Sequence, residues 1–132
     1  MKASGRVAVD SNAVIAYREG VPEVCRLVDG AKVLFMPITV LGELVYGAMN
    51  SERVGENEQA VLAFWSECIP VYSDEAVARR YAATRLKLKQ QGRPIPENDL
   101  WIAAACLEVD ATLVSRDDHF TGIDGLDVVG WR

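Results

Sequence analysis

Residues 6–12 read Arg-Val-Ala-Val-Asp-Ser-Asn. Val7, Ala8 and Val9 are apolar without interruption, the pattern of a short strand buried on both faces rather than of one with a wet side. The run stops on a carboxylate, Asp10. Ser11 and Asn12 are helix-capping residue types, so a helix is expected over 13–18, halted by Gly20. A strand buried on both faces needs parallel neighbours and helical crossovers, and the rest of the chain offers them. Val33 to Met36, Ile69 to Tyr72, Ala111 to Ser115 and Leu126 to Val129 read as further short strands. Helical spacing of apolar residues recurs from Pro22 to Gly30, Ile38 to Met49, Ala60 to Trp65, Asp74 to Gln91 and Asn98 to Leu107, with residues 51–58 left as a polar connection. Strands alternating with helices and few hairpin signals predict an α/β sandwich: a mostly parallel central sheet of four to five strands flanked by helices.

At 132 residues and 14.5 kDa the chain has the size of one domain, spanning 1–132. Half of its residues are hydrophobic, enough to build a core and to exclude a disordered chain. The opening MKASGRVAVDSN contains no apolar run long enough for a secretory signal, and no stretch approaches the roughly 18 apolar residues of a membrane span. Cys25, Cys68 and Cys106 are far apart and form no CxxC pair, which fits reduced thiols in a cytoplasmic protein. With one histidine, His119, a structural zinc site has almost nothing to use.

The net charge of −5 is unevenly spread. Between Ala76 and Pro96 there is no acid but there are six bases, Arg79, Arg80, Arg85, Lys87, Lys89 and Arg93, which leaves the remainder at a net −11. On a long helix such a stripe is either a solvated face or a set of contacts to nucleic-acid phosphates.

Four acids stand in apolar surroundings, where an unpaired charge is costly. Asp10 ends the first strand, and Glu43 is the only charged residue between Val33 and Met49. Asp99 opens the apolar helix 100–107, and Asp117 follows the fourth strand by two residues. In an open parallel sheet, strand carboxyl ends and adjoining helix starts line one crevice, so Asp10 and Asp117 are expected to converge there. Carboxylates gathered in a pocket repel one another unless a cation neutralises them. Oxygen donors select hard ions, which points to Mg²⁺ or Mn²⁺ and to phosphodiester hydrolysis as the leading reaction class. The blander readings are an N-cap for Asp10 and a helix-dipole acid for Asp99, both compatible with metal binding. Glu43 has no basic neighbour three or four positions away.

The succession VAVDSN, ITVLGELVYGA, IPENDLWIAA and TLVSRDDHF resembles a PIN-domain ribonuclease, in particular a VapC-type toxin of a toxin-antitoxin pair. The likeness runs from Arg6 to about Val129 and implies a PIN-like three-layer sandwich. It implies that Asp10, Glu43, Asp99 and Asp117 form the catalytic and metal-binding site, with Asn12 and Ser115 in support and Asp118 as the competitor for the fourth place. Ser11 stands where many members have Thr, and Arg116 where many have Asn. The resemblance further implies an endoribonuclease leaving 5′-phosphate and 3′-hydroxyl ends, and a homodimer inhibited by a cognate antitoxin that carries any DNA contact.

Other readings are weaker. A receiver-like signalling domain needs a lysine near its last strand, where this chain has Val128, Val129 and Gly130. A haloacid-dehalogenase-type phosphatase needs an acid at Asn12. A catalytically silent PIN-like RNA-binding or regulatory module is the remaining alternative, and the four intact acids count against it. No nucleophile elbow supports a Ser115–His119 pair, so His119 reads as a loop residue beside Phe120. Trp65, Trp101 and Trp131 read as core or interface, and Val14, Ile15 and Tyr17 as core or a partner surface.

Overall fold

The computed structural model describes Gly5–Arg132. The strands are β1 (Arg6–Val9), β2 (Val33–Pro37), β3 (Ile69–Val71), β4 (Thr112–Val114) and β5 (Val128–Val129). The helices are α1 (Ser11–Arg18), α2 (Pro22–Asp29), α3 (Ile38–Met49), α4 (Val54–Ser66), α5 (Glu75–Gln90) and α6 (Glu97–Val109), with a 3₁₀ turn at Asp118–Phe120. The five strands form one parallel sheet in the order β3-β2-β1-β4-β5. Val7, Ala8 and Val9 are all buried although successive side chains point to opposite faces, so helices cover both sides of β1. The three-layer α/β arrangement expected from the sequence is therefore present, with all pairings parallel.

One core unites the layers. Val9, Leu113 and Val114 from the strands meet Val14, Val24, Val40, Val61, Val77 and Ile102 from the helices. The Ala-rich body of α6, Ala103 to Ala105, is buried, because small side chains let a helix lie close against a sheet. On the outer side of α6, the Trp101 ring stacks on Tyr81 of α5 with centroids 4.0 Å apart. Trp131 is buried near the chain end.

Several details differ from the sequence reading. Ser11 lies inside α1, because Asp10 takes the cap: its Oδ1 accepts the Ala13 N–H at 2.8 Å. Helix α4 begins at Val54, so much of the supposed polar connection is helical; its core contacts, Val61 with Phe64 and Trp65, all lie in its second half, which is why apolar spacing hid its first turn. Helix α3 buries only Val40, Leu44 and Ala48, leaving Tyr46 and Met49 exposed, and is less enclosed than its composition suggested. Val14 belongs to the core, Tyr17 packs edge-on against Phe64, and Ile15 is exposed. The last strand is shortened by a turn in which the Leu126 N–H bonds to the Ile123 carbonyl. The cysteines are unpaired, and no described helix is long and apolar enough to cross a membrane.

Candidate active site

Strands β1 and β4 run side by side with Val9 opposite Val114, so the next residues, Asp10 and Ser115, emerge at the same end of the sheet. The strand order changes direction between these two strands, which opens a crevice at their carboxyl ends. Asp10 is buried there. Burial holds its carboxyl above the usual carboxylate range, bonds from Ser115 and the Ala13 N–H pull it down, and the charges of Asp117 and Glu43 push it further up.

Glu43 projects from α3, half-buried. Its Oε1 accepts the Ser11 hydroxyl at 2.7 Å and its Oε2 the Asn98 amide at 3.3 Å. Asp99 lies in the first turn of α6, with Oδ2 2.8 Å from His119 Nδ1. Burial raises its carboxyl; the His119 bond opposes this, while the charges of Asp117 and Glu43 add to it. Asp117 follows β4, donates its backbone N–H to Ser115 Oγ at 3.1 Å, and accepts the His119 N–H on Oδ1 at 2.9 Å, capping the 3₁₀ turn.

The same two charges, those of Asp117 and Glu43, act on both Asp10 and Asp99, so the four acids form one electrostatic unit. Among the described residues no lysine or arginine pairs with any of them; the only basic side chain in contact is His119. Asp117, rather than the exposed Asp118, joins the group. Ser115 is buried and touches both Asp10 and Asp117. Asn12 is exposed, and its side chain makes no hydrogen bond among the described residues.

Three site residues escaped the sequence reading. His119 was read as a loop residue, yet its Nδ1 also lies 3.1 Å from Asp117 Oδ1. Its position two residues after Asp117 was the available signal. Ser11 and Asn98 meet Glu43 across 32 and 55 residues of sequence, and no local pattern reports such contacts. For Ser11 the hydroxyl is the working group, so the Ser-for-Thr exchange keeps the bond.

Most of the basic stripe has protein partners. Arg79 pairs with Glu75, Arg80 with Glu108, Arg85 with Glu97 and Lys87 with Asp124. Arg93 instead donates to the Thr121 carbonyl at 2.7 Å, on the loop that follows the 3₁₀ turn. Gly122 there has φ +80, and a Cβ on it would lie 3.0 Å from the Arg93 guanidinium. An open cleft of about 730 Å³ is lined by one of the four acids, Asp117, together with Ser115, Arg116, Gly130 and Trp131 among others; Arg116 lies over the Trp131 ring at 5.3 Å. A second cleft, of about 430 Å³ between α5 and α6, contains none of the four acids.

A five-stranded parallel α/β fold with four acids gathered near the β1/β4 switch point defines the class of domain to which the chain conforms. The PIN-domain model matches residues 7–126, and the chain belongs to that family. It is 29% identical over 129 residues to ribonuclease VapC1 of Haemophilus influenzae strain R2866, covering 93% of this chain and 96% of that one. It is 32% identical over 92 residues, 67% of each chain, to ribonuclease VapC5 of Mycobacterium tuberculosis. Among solved structures, VapBC2 from Rickettsia felis bound to a fragment of promoter DNA superimposes with a TM-score of 0.84 at 25% identity, covering 96% of this chain and 98% of that one. VapBC-1 from nontypeable Haemophilus influenzae gives 0.83 at 27% identity, with 95% and 97% covered.

Proposed function

We propose that the chain is an endoribonuclease of the VapC type, the toxin of a toxin-antitoxin pair, which uses a divalent cation held by Asp10, Glu43, Asp99 and Asp117. The observation that carries this reading is the convergence of four carboxylates from four separate segments with no lysine or arginine paired to them among the described residues. The donor set fits a hard divalent ion: the donors are carboxylate oxygens, and two of them, on Asp10 and Asp99, are held above their ordinary range until a cation compensates them. Mg²⁺ is the natural occupant and Mn²⁺ an acceptable one. When bound, such an ion lowers the pKa of a coordinated water and stabilises charge on the phosphodiester oxygens.

The chain's own residues prepare the site. Ser115 and the Ala13 N–H fix the Asp10 carboxylate, Ser11 and Asn98 fix that of Glu43, and the Ser115 hydroxyl anchors the backbone of Asp117. Ligands held this way need little reorganisation when the ion enters. Asn12, exposed at the start of α1, is assigned to the substrate side. Phosphate contact falls to Lys89 and Arg93, which have no carboxylate partner among the described residues, while Arg79, Arg80, Arg85 and Lys87 are committed to acids unless RNA displaces them.

The VapBC assemblies among the neighbours, one of them bound to promoter DNA, support a cognate antitoxin as partner; DNA contact through that antitoxin, a homodimer and a cytoplasmic location complete the proposal. Exposed Ile15, Tyr46 and Met49 offer apolar surface for these contacts. The test is cleavage of a total tRNA and rRNA pool by purified, antitoxin-free protein in Mg²⁺ or Mn²⁺ against EDTA. Metal-dependent cuts are expected, reduced at least about 100-fold in Asp10→Asn and Glu43→Gln. Folded protein that cuts none of a broad RNA panel would replace this reading with a silent binding module.

A further inference from the structure

The bond pattern of His119 does not suit a residue that merely closes a loop. Its Nδ1 lies 2.8 Å from Asp99 Oδ2 and 3.1 Å from Asp117 Oδ1, and the three residues each offer a donor atom within 4.8 Å of the other two. Adjacent ligands of an octahedral ion with bonds of about 2.1 Å sit about 3 Å apart, so both separations match neighbouring corners of one coordination shell. The backbone holds the imidazole there. Phe120 is buried directly after it, and the His119 N–H is tied to Asp117 Oδ1 at 2.9 Å. The His119 backbone is therefore tied beside a carboxylate with which its ring would share an ion.

We infer that His119 is a nitrogen ligand of the divalent ion, through Nδ1, completing a mixed set with Asp99 and Asp117. This rests on the metal-dependent reading above and deepens it. In a chain without the ion, Nδ1–H donates to the two carboxylates; to ligate the ion the neutral ring would carry its proton on Nε2 instead, so that the Nδ1 lone pair takes the place of the hydrogen bonds. An imidazole is a softer donor than a carboxylate and suits transition ions, whereas Mg²⁺ prefers oxygen and sheds water reluctantly. One nitrogen among the acids consequently shifts the preference of the site from Mg²⁺ towards Mn²⁺.

The probe is Mn²⁺ itself, bound to the purified full chain and read by pulsed electron paramagnetic resonance for coupling to ¹⁴N. Wild-type protein is expected to show directly bonded imidazole nitrogen, and the coupling to vanish in His119→Gln while Mn²⁺ still binds. By competition calorimetry, the same substitution is expected to weaken Mn²⁺ about tenfold and Mg²⁺ less than about twofold, erasing most of the preference. Asp99→Asn locates the ion by weakening both metals. Mn²⁺ bound at this site without nitrogen coupling would overturn the role of His119 and leave the metal site standing. Failure of wild-type protein to bind Mn²⁺ at all would overturn the metal reading itself. Because the wild-type spectrum decides the question, the result does not depend on the variant folding; His119 is half-exposed and its replacement leaves the core untouched.

Discussion

At the scale of single residues, the site shows how an acid can be recognised before its partners are known. Asp10 and Glu43 were legible because each interrupts an apolar run, and burial makes an unpaired carboxylate expensive. Ser11 was not legible, since its value lies in a 2.7 Å bond to a residue 32 positions away. Ser11→Ala is expected to weaken divalent-ion binding about tenfold with little change in folding, while Ser11→Thr retains wild-type affinity, as calorimetry can check. The direction of the Asp10 shift gives a second prediction. Its carboxyl binds a proton more readily in the folded chain than in the unfolded one, so without metal its stabilising contribution is complete below the ordinary value of 3.8 and is lost as pH rises through the raised value. In EDTA, Asp10→Asn is therefore expected to melt at a higher temperature than wild type at pH 7, with the gap closing towards pH 4. The asparagine oxygen can still cap α1, which keeps the comparison to the charge.

At the scale of elements, boundaries followed the strength of the local signal. Helix α6 announced itself through an apolar body behind an acidic first turn, and the structure keeps both: Asp99 faces the site while Ala103 to Ala105 pack inward. Helix α4 was half missed because it buries little: none of the residues of its first turn, Val54 to Asn57, is buried, so no apolar spacing marks where it starts. The 3₁₀ turn Asp118–Phe120 was missed altogether, since three residues carry no periodicity. Its stability rests on the cap from Asp117 and on burial of Phe120. Phe120→Ala is expected to cost about 3 kcal/mol in denaturant unfolding and to lower metal affinity as well, because the turn carrying Asp117 and His119 loses its anchor. The basic stripe on α5 was visible as charge, but its pairing with Glu75, Glu97, Glu108 and Asp124 was not, as three of those partners belong to other segments.

At the scale of the whole molecule, the sheet is a device for bringing distant acids together against their repulsion. Metal and fold are then linked: an ion bound only by the folded chain stabilises it by about 2.7 kcal/mol at one hundred times its dissociation constant. Mg²⁺ or Mn²⁺ is expected to raise the melting temperature of wild type by several degrees at pH 7.5, by less at pH 5 where protons compete for Asp10 and Asp99, and hardly at all in Asp10→Asn. The sequence by itself determined the α/β class, most of the strands and the four acids, because burial of apolar runs and the cost of isolated charge are local properties written in residue order. Only the tertiary structure decided that Asp117 rather than Asp118 faces the others, that Ser11 and Asn98 hold Glu43, and that His119 reaches two carboxylates at once. Those contacts depend on where strand ends and helix starts meet in space, and the parallel pairing of β1 with β4, more than one hundred residues apart, sets that meeting.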